Sequence, residues 1–539
     1  MSKKKFIGIA AAVLFIHLLL IVFYGTQKEA FHEDEYYTYS TSTGHNVANP
    51  YGAIQEKSGM DLQSDFYVTN EHRFDFGSVV DIQRLDVHPP LYYLTLHFMM
   101  SLFPYSFYKW FGILLNACYS LVSCGGIIYL IYQMDKSRHR CFLALLSGFL
   151  YGIHPAFISN AMFTRMYCMS VMWTVLYVNV FALLMQNIRN SRKRFAAITL
   201  CGAAICYFAF LTHYFCLYIP FFLTLGFCLY VLIRRLLYKE KCILRMLIYG
   251  VSLSAAIGLG ILTFPDSLSQ IFSGDQGEGA FSSLFGSDMF TLLKLFLPVL
   301  NKNFFAGMLY PVLGVFTAAS LAGFLLIIRR KYRGRPMPQT NFAILGIGLT
   351  AGIITVWLTS KTSLFLGDAS SRYFYPVAAL LLPLIAYTIG KAILQAEARL
   401  PGRHTGAVLS LILGAAVLIP PAVGHLQGNI LFLYREKAET LQYARDNAQY
   451  PLVMIYDFNT RYKTWYIANE TWPYERVIFI QYNEEETVIE NNALKTAEKL
   501  IVYMDGPEEI LDRLVAQNEH ISSWSLLRHD LHYYVYVLE

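Results

Sequence analysis

The chain has 539 residues, of which 55% are hydrophobic and 15% are charged, and its mean hydropathy is +0.40. Soluble proteins carry roughly 25% charged residues, so this composition excludes an ordinary soluble enzyme and predicts a polytopic α-helical membrane protein. The net charge of +6 is too small to indicate a nucleic acid partner.

The first apolar run, residues 6–23, follows three lysines in the manner of a signal peptide. It is long and no small-x-small cleavage site follows it, so we interpret it as an uncleaved anchor helix. A bilayer is crossed by about 20 apolar residues in a helix. By that criterion eleven crossing helices are predicted, near residues 6–23, 107–132, 141–158, 165–186, 195–212, 214–237, 243–264, 303–329, 341–360, 372–392 and 405–424.

Two apolar runs, 88–104 and 290–300, are shorter and are predicted to be interfacial or re-entrant. With these two excluded, every strongly basic connector falls on one side of the membrane. The connectors are residues 3–5, KSRHR at 136–140, RNSRKR at 189–194, RRLLYKEK at 234–241, RRKYRGR at 329–335 and the loop 391–403. The positive-inside rule then predicts a multi-pass protein of the cell membrane with a cytoplasmic N-terminus.

The loops on the opposite side are acidic. Residues 24–87 hold eleven acidic residues against four basic ones, and residues 265–288 hold four acidic residues and no Lys or Arg. All nine cysteines lie in or beside apolar segments, which indicates small core residues rather than extracytoplasmic disulfides or a metal site.

From about residue 430 the apolar runs shorten and alternate with charged stretches. Residues 452–458, 476–482, 499–505 and 532–539 are predicted as strands, and 507–518 as a helix. We therefore predict a transmembrane domain over 1–427, with a first extracytoplasmic loop at 24–106 that contains interfacial helices. A small extracytoplasmic α/β domain follows over 428–539, and no glycine-rich nucleotide motif occurs in it.

The predicted topology places five polar segments at the outer membrane face. They are HEDEYY at 32–37, DVHPPLYY at 86–93, FTRMY at 163–167, the pair His213 and Tyr214, and SRYFYP at 371–376. In the first segment, Asp34 and Glu35 repel each other, which raises one carboxyl pKa and favours a general base. The alternative for these acids is a solvated acidic patch at the membrane surface.

The other segments supply groups that bind anions. His88 lies close to Asp86 at a rigid helix start, where its side chain and the positive end of the helix can bind an anion. The alternative is a turn that re-enters the membrane without binding anything. Arg165 and Arg372, each flanked by tyrosines, can fork onto a phosphate or snorkel to lipid headgroups. His213 and Tyr214, in a very short connector, fit a structural role as well as a substrate contact.

The acidic pair after the first helix, HPPLYY, RMY at a helix start and RY before an apolar helix together resemble the GT-C membrane glycosyltransferases. The branch that this pattern is most similar to contains the protein O-mannosyltransferases and the lipid A aminoarabinose transferase. The resemblance covers the chain to about residue 240 and, more weakly, the SRYFYP region.

The resemblance implies a polyprenyl-phosphate sugar donor, an acceptor hydroxyl on a glycan, lipid or protein, and a reaction at the outer face with no required cofactor. It implies that Asp34 is the base, that Glu35 orients the base or the acceptor, and that His88, Arg165 and Arg372 bind the donor phosphate. Further substrate contacts are predicted for Asp86, Tyr167, His213, Tyr214 and Tyr373. A base opposite the leaving group implies inversion at the sugar.

Three alternatives stay open at this point. The first is a multi-pass transporter or flippase, which the scarcity of charges within the crossing segments disfavours. The second is a metal-dependent, oligosaccharyltransferase-like enzyme in which Glu33, Asp34, Glu35 and Asp86 hold a divalent cation. The third is a receptor whose C-terminal domain binds a ligand.

Overall fold

The computed structural model describes residues 2–45, 55–189, 191–240, 242–273, 275–286, 290–332, 339–397, 403–481, 491–530 and 532–539. The chain divides into two compact units. The first unit comprises Met1–Thr26, Gln83–Tyr92 and Gly112–Leu431. The second unit comprises Gln27–Ile82, Tyr93–Phe111 and Phe432–Glu539, so much of the first loop belongs to the same unit as the C-terminal region.

The described chain is mostly helical. The helices are α1 (Lys3–Thr26), α2 (Glu33–Thr41), α3 (Gly59–Gln63), α4 (Phe76–Arg84), α5 (Leu91–Ser101), α6 (Lys109–Met134), α7 (Arg140–Ile153), α8 (Pro155–Met162), α9 (Tyr167–Asn187), α10 (Arg192–Phe210), α11 (Tyr218–Tyr238), α12 (Ile243–Thr263), α13 (Ser267–Phe272), α14 (Asp275–Phe285), α15 (Thr291–Phe305), α16 (Leu309–Tyr332), α17 (Gln339–Thr362), α18 (Tyr375–Glu397), α19 (Arg403–Leu426), α20 (Ala438–Asp446), α21 (Ala468–Thr471), α22 (Asn492–Thr496) and α23 (Glu509–Gln517).

The membrane-spanning helices agree with the sequence pattern. In the described residues nine helices are long and apolar enough to cross a bilayer, and the number reaches eleven if each of two bent pairs is one span. The first pair is α7 and α8, which meet at 51° where Pro155 begins α8. The predicted polytopic helical fold is confirmed.

The second bent pair, α15 and α16, meets at 78°, so the run 290–300, which was predicted to be interfacial or re-entrant, lies in α15 at one side of a sharp bend. The other short run forms α5, whose 11 residues extend over only about 16 Å, too little to cross a bilayer. Both runs are therefore helical, but neither forms a straight crossing helix.

The second unit contains a six-stranded sheet. Its strands are β1 (Gln55–Lys57), β2 (Leu452–Tyr456), β3 (Val477–Gln481), β4 (Leu500–Met504), β5 (Trp524–His529) and β6 (Tyr534–Leu538), in the order β1-β3-β2-β4-β6-β5. The central strands β3, β2 and β4 are parallel and nearly fully buried, while β1, β5 and β6 pair antiparallel. The small C-terminal α/β domain is thus confirmed, and β1 and β5 are strands that the sequence pattern did not predict.

Candidate active site

The turn before α5 carries an ion pair. Oδ2 of Asp86 lies 3.6 Å from Nδ1 of His88, and two prolines lead from there directly into α5. The first backbone N–H of α5, that of Leu91, donates to the carbonyl of Leu211 at 2.9 Å. Because this bond ties the start of α5 to the end of α10, it brings His88 close to the connector that carries His213.

Gln270 of α13 fixes the same turn from another direction. Its Nε2 donates to the carbonyls of Gln83, at 2.9 Å, and Asp86, at 2.6 Å. Its Oε1 accepts from the hydroxyl of Tyr214 at 2.5 Å. A single buried amide therefore connects the turn at Asp86 to the segment after α10, and nothing in the sequence pattern marks it for this role.

Arg165 lies in the short loop between α8 and α9 and is only 6% exposed. The loop is held by Asn116, whose Nδ2 donates to the carbonyl of Phe163 at 2.7 Å and whose Oδ1 accepts from Tyr92 at 3.0 Å. Gly112 permits the loop to approach α6, because a Cβ at that position would lie 2.1 Å from Cγ2 of Thr164.

Arg372 is only 4% exposed and lies on a 3-10 helix, Gly367–Phe374, that leads into α18. Its guanidinium lies 5.0 Å from the ring centre of Tyr373 and 5.6 Å from that of Phe163, and it donates to the Tyr373 hydroxyl at 3.2 Å. An arginine that snorkels keeps its charged end in the headgroup region. The burial of Arg165 and Arg372 disfavours that alternative.

Aromatic rings join these segments into one cluster. The ring of His213 lies 5.6 Å from that of His88 and 5.7 Å from that of Tyr167, and Tyr167 lies 6.0 Å from Tyr373, the neighbour of Arg372. Four of the five polar segments thus meet within the first unit. We call Asp86, His88, Arg165, His213 and Arg372 the cationic cluster.

The charges of the cluster follow from its burial. Burial, together with the positive charges of His88 and Arg165, holds the pKa of His213 well below its usual range, so this imidazole is neutral near pH 7. Burial raises the pKa of Asp86, but hydrogen bonding and charge from His88 and the charge of Arg165 outweigh it, so the pKa is lowered. The carboxylate of Asp86 is thus balanced by Arg165 and by His88 when that imidazole is protonated, and the cluster also contains the guanidinium of Arg372.

The acidic segment forms α2 of the second unit. His32 caps the helix, since its Nδ1 accepts from the backbone N–H of Asp34 at 3.1 Å. The same nitrogen lies 3.6 Å from Oδ2 of Asp34, and the Asp34 side chain is 20% exposed. The Asp34 carboxylate therefore lies at the positive end of a helix with one imidazole beside it.

Glu35 has a different environment. It is 0% exposed, and its Oε2 accepts from Nζ of Lys28 at 2.8 Å and from the backbone N–H of His32 at 2.9 Å. Lys28, also buried, was not predicted from the sequence. A separation of seven residues between a lysine and an acid in a loop does not indicate an ion pair, because the fold of the loop decides whether the two side chains meet.

The residues whose side chains lie close enough together to bind a metal ion differ from the predicted metal ligands. His32, Glu33 and Asp34 each offer a ligand atom, and these atoms lie within 4.8 Å of one another. The carboxylates of Glu35 and Asp86 interact with Lys28 and His88 instead. If α2 holds a divalent cation, His32, Glu33 and Asp34 are therefore its ligands.

No family model matches this sequence, and no curated protein matches it. Solved structures match in fold. ArnT from Cupriavidus metallidurans bound to undecaprenyl phosphate aligns over 100% of this chain and 98% of its own, at 14% identity and a TM-score of 0.52. The apo state of ArnT aligns over 99% and 97%, at 14% identity and 0.49. The archaeal oligosaccharyltransferase AglB from Archaeoglobus fulgidus, in complex with an inhibitory peptide and a dolichol-phosphate, aligns over 96% and 72%, at 13% identity and 0.45.

The fold class is therefore that of a multi-pass membrane protein with a GT-C fold and a small C-terminal sheet domain. The structure that carries this assignment is undecaprenyl-phosphate-bound ArnT, an aminoarabinose transferase, and at 14% identity the likeness shows the fold alone. The GT-C fold predicted from the polar motifs is confirmed.

Proposed function

We propose that this protein is a glycosyltransferase that moves a sugar from a polyprenyl-phosphate donor to an acceptor hydroxyl at the extracytoplasmic face of the cell membrane. The observation that carries the proposal is the cationic cluster, in which Arg165 and Arg372 are 6% and 4% exposed among apolar helices. A phosphate accepts bidentate bonds from the planar guanidinium of arginine, so two arginines held among apolar helices suit the phosphate of a membrane-lipid donor. The presence of undecaprenyl phosphate in ArnT, which shares the fold, supports this ligand class.

In the proposed reaction, Asp34 removes the proton from the acceptor hydroxyl. The oxygen attacks the anomeric carbon of the sugar, and the bond from that carbon to the phosphate oxygen breaks. The electron pair leaves with the polyprenyl phosphate, whose added negative charge Arg165 and Arg372 stabilise. Attack opposite the leaving group inverts the anomeric centre.

His88 and the aromatic groups have supporting roles in this proposal. His88 adds a positive charge to the phosphate site when it is protonated, so its contribution depends on pH. Tyr373 contacts the guanidinium of Arg372 directly, while Tyr167 and His213 join it to the turn at His88. Tyr214 acts through Gln270, which holds the same turn.

The test separates binding from chemistry by measuring undecaprenyl phosphate affinity and sugar transfer on the purified protein in nanodiscs. We expect Arg165→Gln and Arg372→Gln each to weaken undecaprenyl phosphate binding by about tenfold or more, since a charge-assisted bond contributes about 1.5–3 kcal/mol. We expect Asp34→Asn to bind the lipid normally and to transfer sugar about 10²–10⁴-fold more slowly.

Arg84→Gln is the matched control, because Arg84 is half exposed and lies 3.6 Å from Asp266, outside the cluster. It should leave both measurements unchanged. Unaltered lipid affinity in both cluster variants, or undiminished transfer by Asp34→Asn, would contradict the proposal.

A metal-dependent transferase is the second candidate, and the proximity of the ligand atoms of His32, Glu33 and Asp34 favours it. A divalent cation held there would supply Lewis-acid chemistry at α2. Asp34 would then be a ligand rather than a base, so metal dependence of transfer distinguishes the two candidates.

A further inference from the structure

The cap of α2 is connected to a buried cation that the proposed chemistry does not use. We infer that Lys28 is a positioning residue that sets the orientation of Asp34 through Glu35 and His32. The inference rests on the proposed role of Asp34 as the base, and it assigns Glu35 to the support of that base rather than to the substrate.

Lys28 is surrounded by protein groups. It is 1% exposed, and its Nζ donates to Oε2 of Glu35 and to the carbonyl of Phe432, both at 2.8 Å. The rings of Phe31 and Tyr434 lie 5.3 and 5.6 Å from the same nitrogen. Burial lowers the pKa of Lys28 and the charge of Glu35 opposes that effect. A buried ammonium with two protein acceptors is not available to a substrate.

The hydrogen bonds continue from Lys28 to the proposed base in three steps. Oε2 of Glu35 accepts from Lys28 and, at 2.9 Å, from the backbone N–H of His32. Nδ1 of His32 in turn accepts from the backbone N–H of Asp34 at 3.1 Å, next to the Asp34 carboxylate. Because Glu35 holds the backbone of His32 and the ring of His32 holds the N–H of Asp34, moving Glu35 shifts His32 and with it the first residues of α2, including Asp34.

Lys28 also ties α2 to the chain that enters the C-terminal region. Phe432 and Tyr434 have φ angles of 66° and 53°, in the left-handed region that disfavours residues with a Cβ. Their conformation is held by the bond from Lys28 to Phe432 and by the bond from the N–H of Glu29 to the carbonyl of Leu433, at 2.8 Å. The same lysine thus fixes a strained segment and the helix that carries the proposed base.

Removing Lys28 alone leaves a buried carboxylate without its counter-ion. Such a group draws in water or a proton, or it moves outward, and each response disturbs the cap. Removing both charges avoids this, since Glu35→Gln keeps a side-chain oxygen that accepts from the N–H of His32. The two residues should therefore compensate each other in activity as well as in stability.

The experiment compares Lys28→Met, Glu35→Gln and the double variant in full-length protein, with kcat, the KM for the lipid-linked donor and the affinity for undecaprenyl phosphate as readouts. We expect Lys28→Met to lower kcat about a hundredfold, as misplacement of a reacting group does, with KM and lipid affinity changed less than about twofold. The double variant should recover at least about tenfold of that loss. Lys463→Met, which removes a more exposed lysine 2.5 Å from Asp505, should keep wild-type kcat.

Wild-type kcat in Lys28→Met would overturn the inference. So would a double variant no more active than Lys28→Met, because Glu35 would then act on the substrate itself. If Lys28→Met does not fold, the double variant decides alone: kcat within about tenfold of wild type supports the inference, and a kcat as low as that of Asp34→Asn overturns it. Undiminished transfer by Asp34→Asn is a separate outcome that refutes the proposed function instead.

Discussion

The imidazole of His213 lies 5.6 Å, ring centre to ring centre, from the imidazole of His88. The two residues are 125 positions apart in sequence, and each comes from a short connector between helices. If both imidazoles were protonated, their positive charges would repel each other, and the charge of Arg165 would add to the repulsion at His213. His213 is buried and takes the neutral form, while His88 lies 3.6 Å from the carboxylate of Asp86.

The first prediction is that His213 makes the protein sensitive to acid. Its pKa is lowered in the folded state, whereas an unfolded histidine titrates near 6.5, so below about pH 6.5 the unfolded chain binds more protons. This contribution to stability is present above that pH and is lost as the pH falls. In wild type this histidine makes the free energy of unfolding fall as the pH is lowered below about 6.5. We expect His213→Gln to reduce that slope by up to about 1.4 kcal/mol per pH unit.

Thermal unfolding of the two proteins between pH 5 and 8 measures this difference, with His520→Gln, at an exposed position, as the control. Parallel curves for wild type and His213→Gln would refute it.

The second prediction concerns the close approach of Gly112 to the loop that carries Arg165. A Cβ on Gly112 would lie 2.1 Å from Thr164, whereas one on Gly125 of the same helix would meet nothing within 4 Å. Gly112→Ala should therefore destabilise the protein by about 1–3 kcal/mol and weaken undecaprenyl phosphate binding, because the loop has to move. Gly125→Ala should be neutral or slightly stabilising. Equal effects of the two substitutions on unfolding temperature and lipid affinity would show that the contact is unimportant.

The third prediction concerns Gln270, which donates to the carbonyls of Gln83 and Asp86 and accepts from Tyr214. Gln270→Met removes all three hydrogen bonds at similar size, which should cost about 1–3 kcal/mol and loosen the turn that carries His88. Lipid affinity should fall with it. Ser269→Ala, on the exposed side of the same helix, is the control for both measurements. Unchanged affinity in Gln270→Met would mean that the turn is held without it.

The fourth prediction addresses the metal. If Asp34 is the base, sugar transfer should persist in excess EDTA and after exhaustive dialysis, because no step of the proposed reaction uses a cation. Loss of transfer in EDTA that Mg²⁺ or Mn²⁺ restores would instead assign His32, Glu33 and Asp34 as ligands. Glu33→Gln is the informative variant, since it should lower the metal affinity in that case and change transfer little otherwise.

The crossing helices could be predicted because the property that defines them is local. A run of about 20 apolar residues has to cross or lie buried whatever the rest of the chain does, and α1 and α9 needed no further information. The run that contains α5 was predicted not to cross because its exclusion placed every strongly basic connector on one side of the membrane, and the 11 residues of α5 are too few to cross. The strand β5 was not predicted. It contains a register shift between Leu526 and Arg528, so its residues do not alternate regularly between apolar and polar.

The polar segments of the cluster could be identified from the sequence, but their partners could not. Charge and helix count determine which helix ends face the same side, and on that basis all five polar segments, HEDEYY included, were predicted at one face. Four of them, DVHPPLYY, FTRMY, the pair His213 and Tyr214, and SRYFYP, meet within the first unit. The strand β1, from the first loop, pairs with β3 across more than 400 residues. No local pattern indicates a pairing at that distance.

The sequence alone determined that this chain is a multi-pass membrane protein and which of its polar residues are unusual for such a protein, because hydrophobicity and charge act through composition over short segments. Only the tertiary structure decided that Glu35 pairs with Lys28 and that Gln270 holds the turn at Asp86. Hydrogen bonds and ion pairs need their atoms within about 3 Å, and that proximity is set by the packing of helices and loops rather than by the residues themselves.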